Sequence, residues 1–273
     1  DYCDPKKYTD HFNGWSMGGQ NMCDVHLVLK RLVALRFDGL LEKGIHDVMH
    51  FLGTSKLEWA TLLTDIQRAV RKYHNENFVI TFDCASPFLA TANGQIYCEL
   101  ETEDRTKWVY RMVPSIDDKA LAQDTTQFGQ AFVREGKHPS FMDSPITADL
   151  KAKDICIYGP GDLNKIGKEG KTSWDSFSYA VMMGHNVWMH INAVQEANRQ
   201  YDNGIIPAML VEERFDRLFF RDVVEAIFAT SNKDEAYAVI DEFSKFWMSI
   251  IGTRGATGKK TVNAQTKFGE LFE

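Results

Sequence analysis

Between residues 12 and 83 the sequence repeats one arrangement: a short apolar segment that closes on Gly or Asp, then a longer stretch with apolar residues at helical spacing. Phe12–Met17 runs into Gly18-Gly19-Gln20. A predicted helix from Asp24 to Glu42 carries Val25, Val28, Leu29, Leu32, Leu35 and Leu41, with Gly44 as its stop signal. Asp47–Leu52 closes on Gly53-Thr54-Ser55, and Leu57–Tyr73 gathers Leu62, Leu63, Ile66, Ala69 and Val70 on one face. Phe78, Val79, Ile80 and Phe82 then read as a buried strand that ends on Asp83. Strand–helix–strand–helix–strand is the grammar of a right-handed βα repeat, so the expected fold class is α/β with a parallel sheet. Three such strands are legible, where a closed barrel needs eight.

The C-terminal ends of parallel strands are where α/β barrels and open α/β sheets keep their chemistry, which makes Asp83 the first candidate residue. The plainer alternative is a carboxylate that caps a helix or is satisfied by loop amides. Cys84, Ala85, Ser86 and Pro87 break the strand, and Asn93-Gly94 marks a polar turn before Gln95-Ile96-Tyr97.

Beyond Tyr97 the pattern changes. Cys98–Met112 alternates like one or two antiparallel strands, and residues 113–173 are polar and rich in Asp, Lys, Gly and Pro, with short helices at most. Phe177–Gln200 reads as one helix or two, broken near Gly184-His185-Asn186. Helices are expected over Val211–Phe228 and Lys233–Ile251, the second with Phe243, Phe246, Trp247 and Ile250 on an aromatic face. The resulting division is 1–97, 98–173 and 174–273, the last ending in a basic tail. A net charge of −7 argues against a generally basic nucleic-acid binder, though a local basic patch operates on an acidic protein too. Five cysteines without a CxxC pair suit a reducing, intracellular compartment. No apolar run is long enough to span a bilayer. The first residue is Asp1 and no leader pattern follows, so the chain reads as a processed product or a piece of a longer one.

Three motifs in order, Gly-Trp-Ser-Met-Gly-Gly at 14–19, His-Phe-Leu-Gly-Thr-Ser at 50–55 and Phe-Asp-Cys-Ala-Ser-Pro with Asn-Gly-Gln-Ile-Tyr at 82–97, resemble the C-terminal half of tRNA-guanine transglycosylases. The match covers residues 14–97, about a third of the chain. His185-Asn186 resembles the His-Asn that opens a late helix in that family. The resemblance implies the last three strands of a (β/α)8 TIM barrel, followed by a mixed insertion at 98–173 and a C-terminal helical region. It implies that Asp83 is the nucleophile that attacks the ribose anomeric carbon and holds a covalent glycosyl intermediate. Gly18 and Gly19 then let the backbone approach the bound base, with Gln20 beside them. Leu52 stands where the family packs a methionine on the base face, and Gly53 follows it.

The departures from the family are equally specific. The family's two tRNA-contacting arginines are replaced by the loop Phe88-Leu89-Ala90-Thr91-Ala92, in which Phe88 is a candidate to stack on a base. Of the CxCxxC-plus-His zinc site only Cys156 and His185 remain, and a structural zinc takes four ligands, so no cofactor is expected. For His185 and His190 the alternative is a helix-cap or core role. Lys259 and Lys260 are candidate phosphate contacts or part of a solvated tail. The family's general base lies upstream of the Gly-Gly pair, so the missing half of the barrel, or a partner chain supplying it, is an expected partner. Loss of the arginines and the insertion at 98–173 point to the bacterial and bacteriophage branch that inserts 7-deazaguanine bases into DNA and so evades restriction. The expectation is guanine exchange in DNA, in the cytoplasm of a bacterium or of a phage host. The alternatives are the same reaction on tRNA and a non-catalytic barrel partner.

Overall fold

A computed structural model of the chain describes residues 12–18, 24–106, 108–157, 176–213 and 218–250. It is a mixed α/β structure with parallel and antiparallel sheets, and its residues divide into two compact units, 1–84 with 204–273 and 85–203. Two sets of contacts set this division. The long helix of residues 176–202 packs on segments just after Asp83, and helices beyond 204 pack back on those before it. No helix among the described residues is long and apolar enough to cross a membrane.

The first unit contains the βα repeat. Strands β1 (Gly14–Met17), β2 (Val48–Phe51) and β3 (Val79–Phe82) form a parallel sheet in the order β1-β2-β3. Helices α1 (Val25–Phe37) and α2 (Leu57–Tyr73) connect them. Asp24 caps α1 by accepting from the Leu27 amide at 3.3 Å. The helix stops five residues earlier than its apolar pattern suggests. Gly39, at φ +72°, turns the chain, and Leu40 N–H reaches Leu35 O at 2.8 Å while Gly39 N–H reaches Arg36 O at 3.3 Å. This paired closure needs the left-handed conformation that Gly adopts without strain, and it buries Leu40 and Leu41 beyond the helix end. Gly44 therefore lies outside α1.

The sheet alternates as a pleated sheet must. Met17, Met49 and Phe51 are buried, whereas Ser16 and Thr81 are exposed and His50 is half-buried. The outer edge of β3 is sealed by α2: Gln67 Oε1 accepts from Ile80 N at 2.6 Å, and Arg71 Nε donates to Phe78 O at 2.6 Å. Side chains that satisfy an edge in this way blunt it toward further pairing.

Further along, the helix expected over 211–228 begins only at Phe220. Val211–Glu212 (β6) and Leu218–Phe219 (β7) pair antiparallel before α7 (Phe220–Ala229). The Asp222 carboxylate caps α7 by accepting from Phe219 N at 3.0 Å. The helix expected over 233–251 is two, α8 (Lys233–Glu242) and α9 (Ser244–Ser249), with the break at Phe243. The break lets Trp247 fold back and donate its indole N–H to Ile240 O at 2.7 Å. Helix α7 packs on α2, and α8 on α1.

The second unit comprises α3 (Ser86–Ala92), the antiparallel pair β4 (Gln95–Glu101) and β5 (Val109–Pro114), the short helices α4 (Phe128–Arg134) and α5 (Ala152–Ile155), and α6 (Ser176–Asp202). Helix α6 is continuous through Gly184-His185-Asn186, so this pair sits mid-helix, where it neither breaks nor opens the helix. Both residues are fully buried. Asn186 Oδ1 accepts from Tyr97 N at 2.9 Å, and its amide donates to Thr91 Oγ1 at 2.9 Å and Gln95 O at 3.1 Å. His185 Nε2 meets Tyr97 O at 2.7 Å. Adjacent side chains of one helix thus grip both backbone groups of Tyr97, at the point where β4 bulges between Tyr97 and Glu99.

Asn186→Ala leaves the Tyr97 amide buried and unpaired, at an expected cost of about 3 kcal/mol. Hydrogen exchange at Tyr97 should accelerate in step with that loss. Burial also pushes the pKa of His185 below its ordinary value, against the Tyr97 carbonyl, which raises it; burial lowers that of His190 as well. The unfolded chain therefore takes up protons that the folded unit refuses. Stability is complete above about pH 6.5 and declines as pH falls below it. Urea midpoints at neutral and mildly acidic pH check the sign.

Candidate functional site

One residue past the ends of the three parallel strands, Gly18, Leu52 and Asp83 continue the cross-strand register. Leu52 N–H donates to Met17 O at 2.8 Å, and Asp83 N–H donates to Phe51 O at 3.3 Å. A period of two puts this row on the same sheet face as Ser16, His50 and Thr81. A Cβ added at Gly18 would stand 3.0 Å from Leu52 Cδ1, so glycine keeps the two loops close. Leu52 is 42% exposed, an apolar surface beside the carboxylate.

Asp83 is held from several directions. Its carbonyl accepts from Thr54 N at 2.8 Å, which ties the end of β3 to the loop after β2. Its Oδ1 accepts from Gly53 N at 3.1 Å and lies 3.5 Å from His50 Nε2, within ion-pair range when the imidazole is protonated. Gly53 gives its N–H from a left-handed conformation, φ +79°, which a β-carbon would strain. His50 Nδ1 in turn meets Thr81 Oγ1 at 2.8 Å. Among the described residues Oδ2 has no hydrogen-bond partner, and the Asp83 side chain is 60% exposed. The arrangement is an anchored carboxylate with one oxygen fixed and the other turned to solvent.

Of the residues expected at the site, Gly18, Leu52, Gly53 and Asp83 come together. Gly19, Gln20, Lys259 and Lys260 lie outside the described residues. Phe88 is 45% exposed on α3 and belongs to the second unit. His50 and Thr81 join Gly18, Leu52, Gly53 and Asp83 through the sheet register: the histidine at the third position of β2 faces the residue two before Asp83 on β3.

The two remaining zinc-ligand candidates are both in the second unit and both committed to its core. His185 Nε2 is on Tyr97 O, and Nδ1 is on Ser144 Oγ at 2.9 Å. Cys156 is buried among apolar side chains, and that burial pushes its thiol up to about 12. Thiolate is the form that binds metal. Among the described residues no group of three or more His, Cys, Asp or Glu side chains is placed to hold a metal ion.

Comparison of the chain with family models, with curated proteins and with solved structures finds no match. Gly53→Ala should cost about 1–3 kcal/mol through strain at a positive φ, and should also release Asp83 Oδ1. Thermal unfolding reads the first effect and any Asp83-dependent activity the second.

Proposed function

We propose that the chain carries the nucleophilic half of a glycosyl-transfer site that exchanges guanine for a 7-deazaguanine base in DNA. The observation that carries this reading is the Asp83 carboxylate, anchored through Oδ1 and open at Oδ2 at the C-terminal edge of a parallel sheet. A carboxylate so placed can stabilise oxocarbenium-like charge on a pentose and then trap it. In the first half-reaction Oδ2 bonds to the anomeric carbon as the bond from that carbon to guanine N9 breaks. The electron pair leaves with guanine, which takes a proton from water. In the second, the incoming base gives its N9 proton to water and bonds to the anomeric carbon, and the ester bond breaks to return the carboxylate. The target nucleotide leaves its stack to reach such a site.

The reading extends the three strands into a larger sheet, the last part of a (β/α)8 barrel, with further strands supplied by sequence upstream or by a partner chain. Parallel sheets are normally covered on both faces, and here Val48 and Leu52 are 40% and 42% exposed on the face that carries His50 and Asp83. Closing a barrel past β3 requires Gln67 and Arg71 to leave the edge they now seal. DNA is preferred to tRNA because Phe88–Ala92 lacks the two arginines that the tRNA enzymes use.

The test is incorporation of labelled guanine, or of a labelled 7-deazaguanine, into DNA and into bulk tRNA. Label should enter DNA, and Asp83→Asn should reduce the rate by at least about a thousandfold, as expected for loss of a nucleophile. Label entering only tRNA overturns the DNA assignment and keeps the chemistry. Label entering neither, with the longest gene product, favours the non-catalytic partner.

A further inference from the structure

We propose that His50 is the positioning residue of the Asp83 nucleophile, and that its protonation sets which half of the exchange is slow. The inference rests on the glycosyl-transfer reading of the same site. His50 bridges β2 and β3 on the open sheet face, with Nδ1 2.8 Å from Thr81 Oγ1 and Nε2 3.5 Å from Asp83 Oδ1. The Thr81 hydroxyl can donate to Nδ1 of a neutral ring or accept from Nδ1–H of a charged one. The ring therefore keeps its orientation in both states, and Nε2–H faces Oδ1 in both. Gly53 N–H converges on the same oxygen at 3.1 Å. The Gly53 N–H on Oδ1, with His50 Nε2 within ion-pair range of the same oxygen, leaves Oδ2 as the attacking atom.

Around His50, the β1 residue in register is Ser16 and the β3 residue in register is Thr81, neither titratable in this range. Among the described residues Asp83 is the one charged group in contact with the ring. Imidazole is the side chain whose charge changes between about pH 5 and 8. When it is charged, the pair with Oδ1 stabilises the carboxylate. That weakens Asp83 as a nucleophile in the first half-reaction and improves it as a leaving group in the second. When it is neutral, the balance reverses. The two half-reactions are predicted to depend on pH with opposite sign.

The experiment measures both halves with the longest gene product on DNA containing labelled guanosine. Formation of the denaturation-resistant protein–DNA adduct is followed in a single turnover. Its breakdown is followed after adding unlabelled guanine, across about pH 5 to 8. Expected in the wild type is adduct formation that slows and breakdown that quickens as pH falls, each by about tenfold. His50→Gln keeps an N–H donor but not the charge, and should flatten both profiles without changing the KM for DNA. Thr81→Val leaves His50 and Asp83 in place and should reduce both slopes, which keeps the test alive if His50→Gln does not fold. Wild-type pH dependence persisting in His50→Gln, or in Thr81→Val alone if the first is unfolded, overturns the role of His50 and leaves Asp83 as nucleophile. Absence of any adduct in the wild type overturns the glycosyl-transfer reading, and this inference falls with it.

Discussion

The pairing of β3 with β2 fixes where Asp83 can be. Asp83 N–H closes on Phe51 O, Thr54 N–H closes on Asp83 O, and between them the side chain has one direction left, over the sheet face that carries His50. A slip of one residue would turn Asp83 toward the face of Met49 and Phe51 and bring Phe82 out in its place. That register is enforced from below: Met49 and Phe51 are fully buried, and the side-chain bonds of α2 to Phe78 and Ile80 hold β3 from its outer edge. The hydrophobic pattern of three short strands thus aims the carboxylate.

Gly53 shows how little sequence the site needs. It makes the turn after β2 by adopting a positive φ, and in that conformation its N–H points at Oδ1. Backbone geometry and electrostatic anchoring of the carboxylate are one event. Gly18 acts by size instead, since a β-carbon there would press on Leu52.

Much of this was legible from sequence, and the parts that were not have physical reasons. Leu57–Tyr73 was predicted with the bounds that the structure shows, because eleven of its side chains are buried and its periodicity is strong. The apolar pattern overruns the end of α1 because Leu40 and Leu41 continue it after Gly39 has already turned the chain. The break at Phe243 was hidden by an aromatic run that suits a helix on either side of it. Asp83, Gly53, Leu52 and Gly18, singled out by position and motif, lie together at the ends of the three strands. His50 and Thr81 were missed because a cross-strand pair is visible only once two strands are set in register. His185-Asn186 carried a misleading signal: a pair that suggests a helix start or a metal ligand serves as a clamp on Tyr97, and only the tertiary contact reveals it.

The proposed exchange depends most on Asp83 forming a covalent bond through Oδ2. The direct measurement is peptide mapping by mass spectrometry of the protein incubated with DNA and quenched in denaturant. A deoxyribosyl adduct is expected on the peptide that contains Asp83, and is expected to be lost in Asp83→Asn. An adduct on another residue, or base exchange that persists in Asp83→Asn, would contradict it.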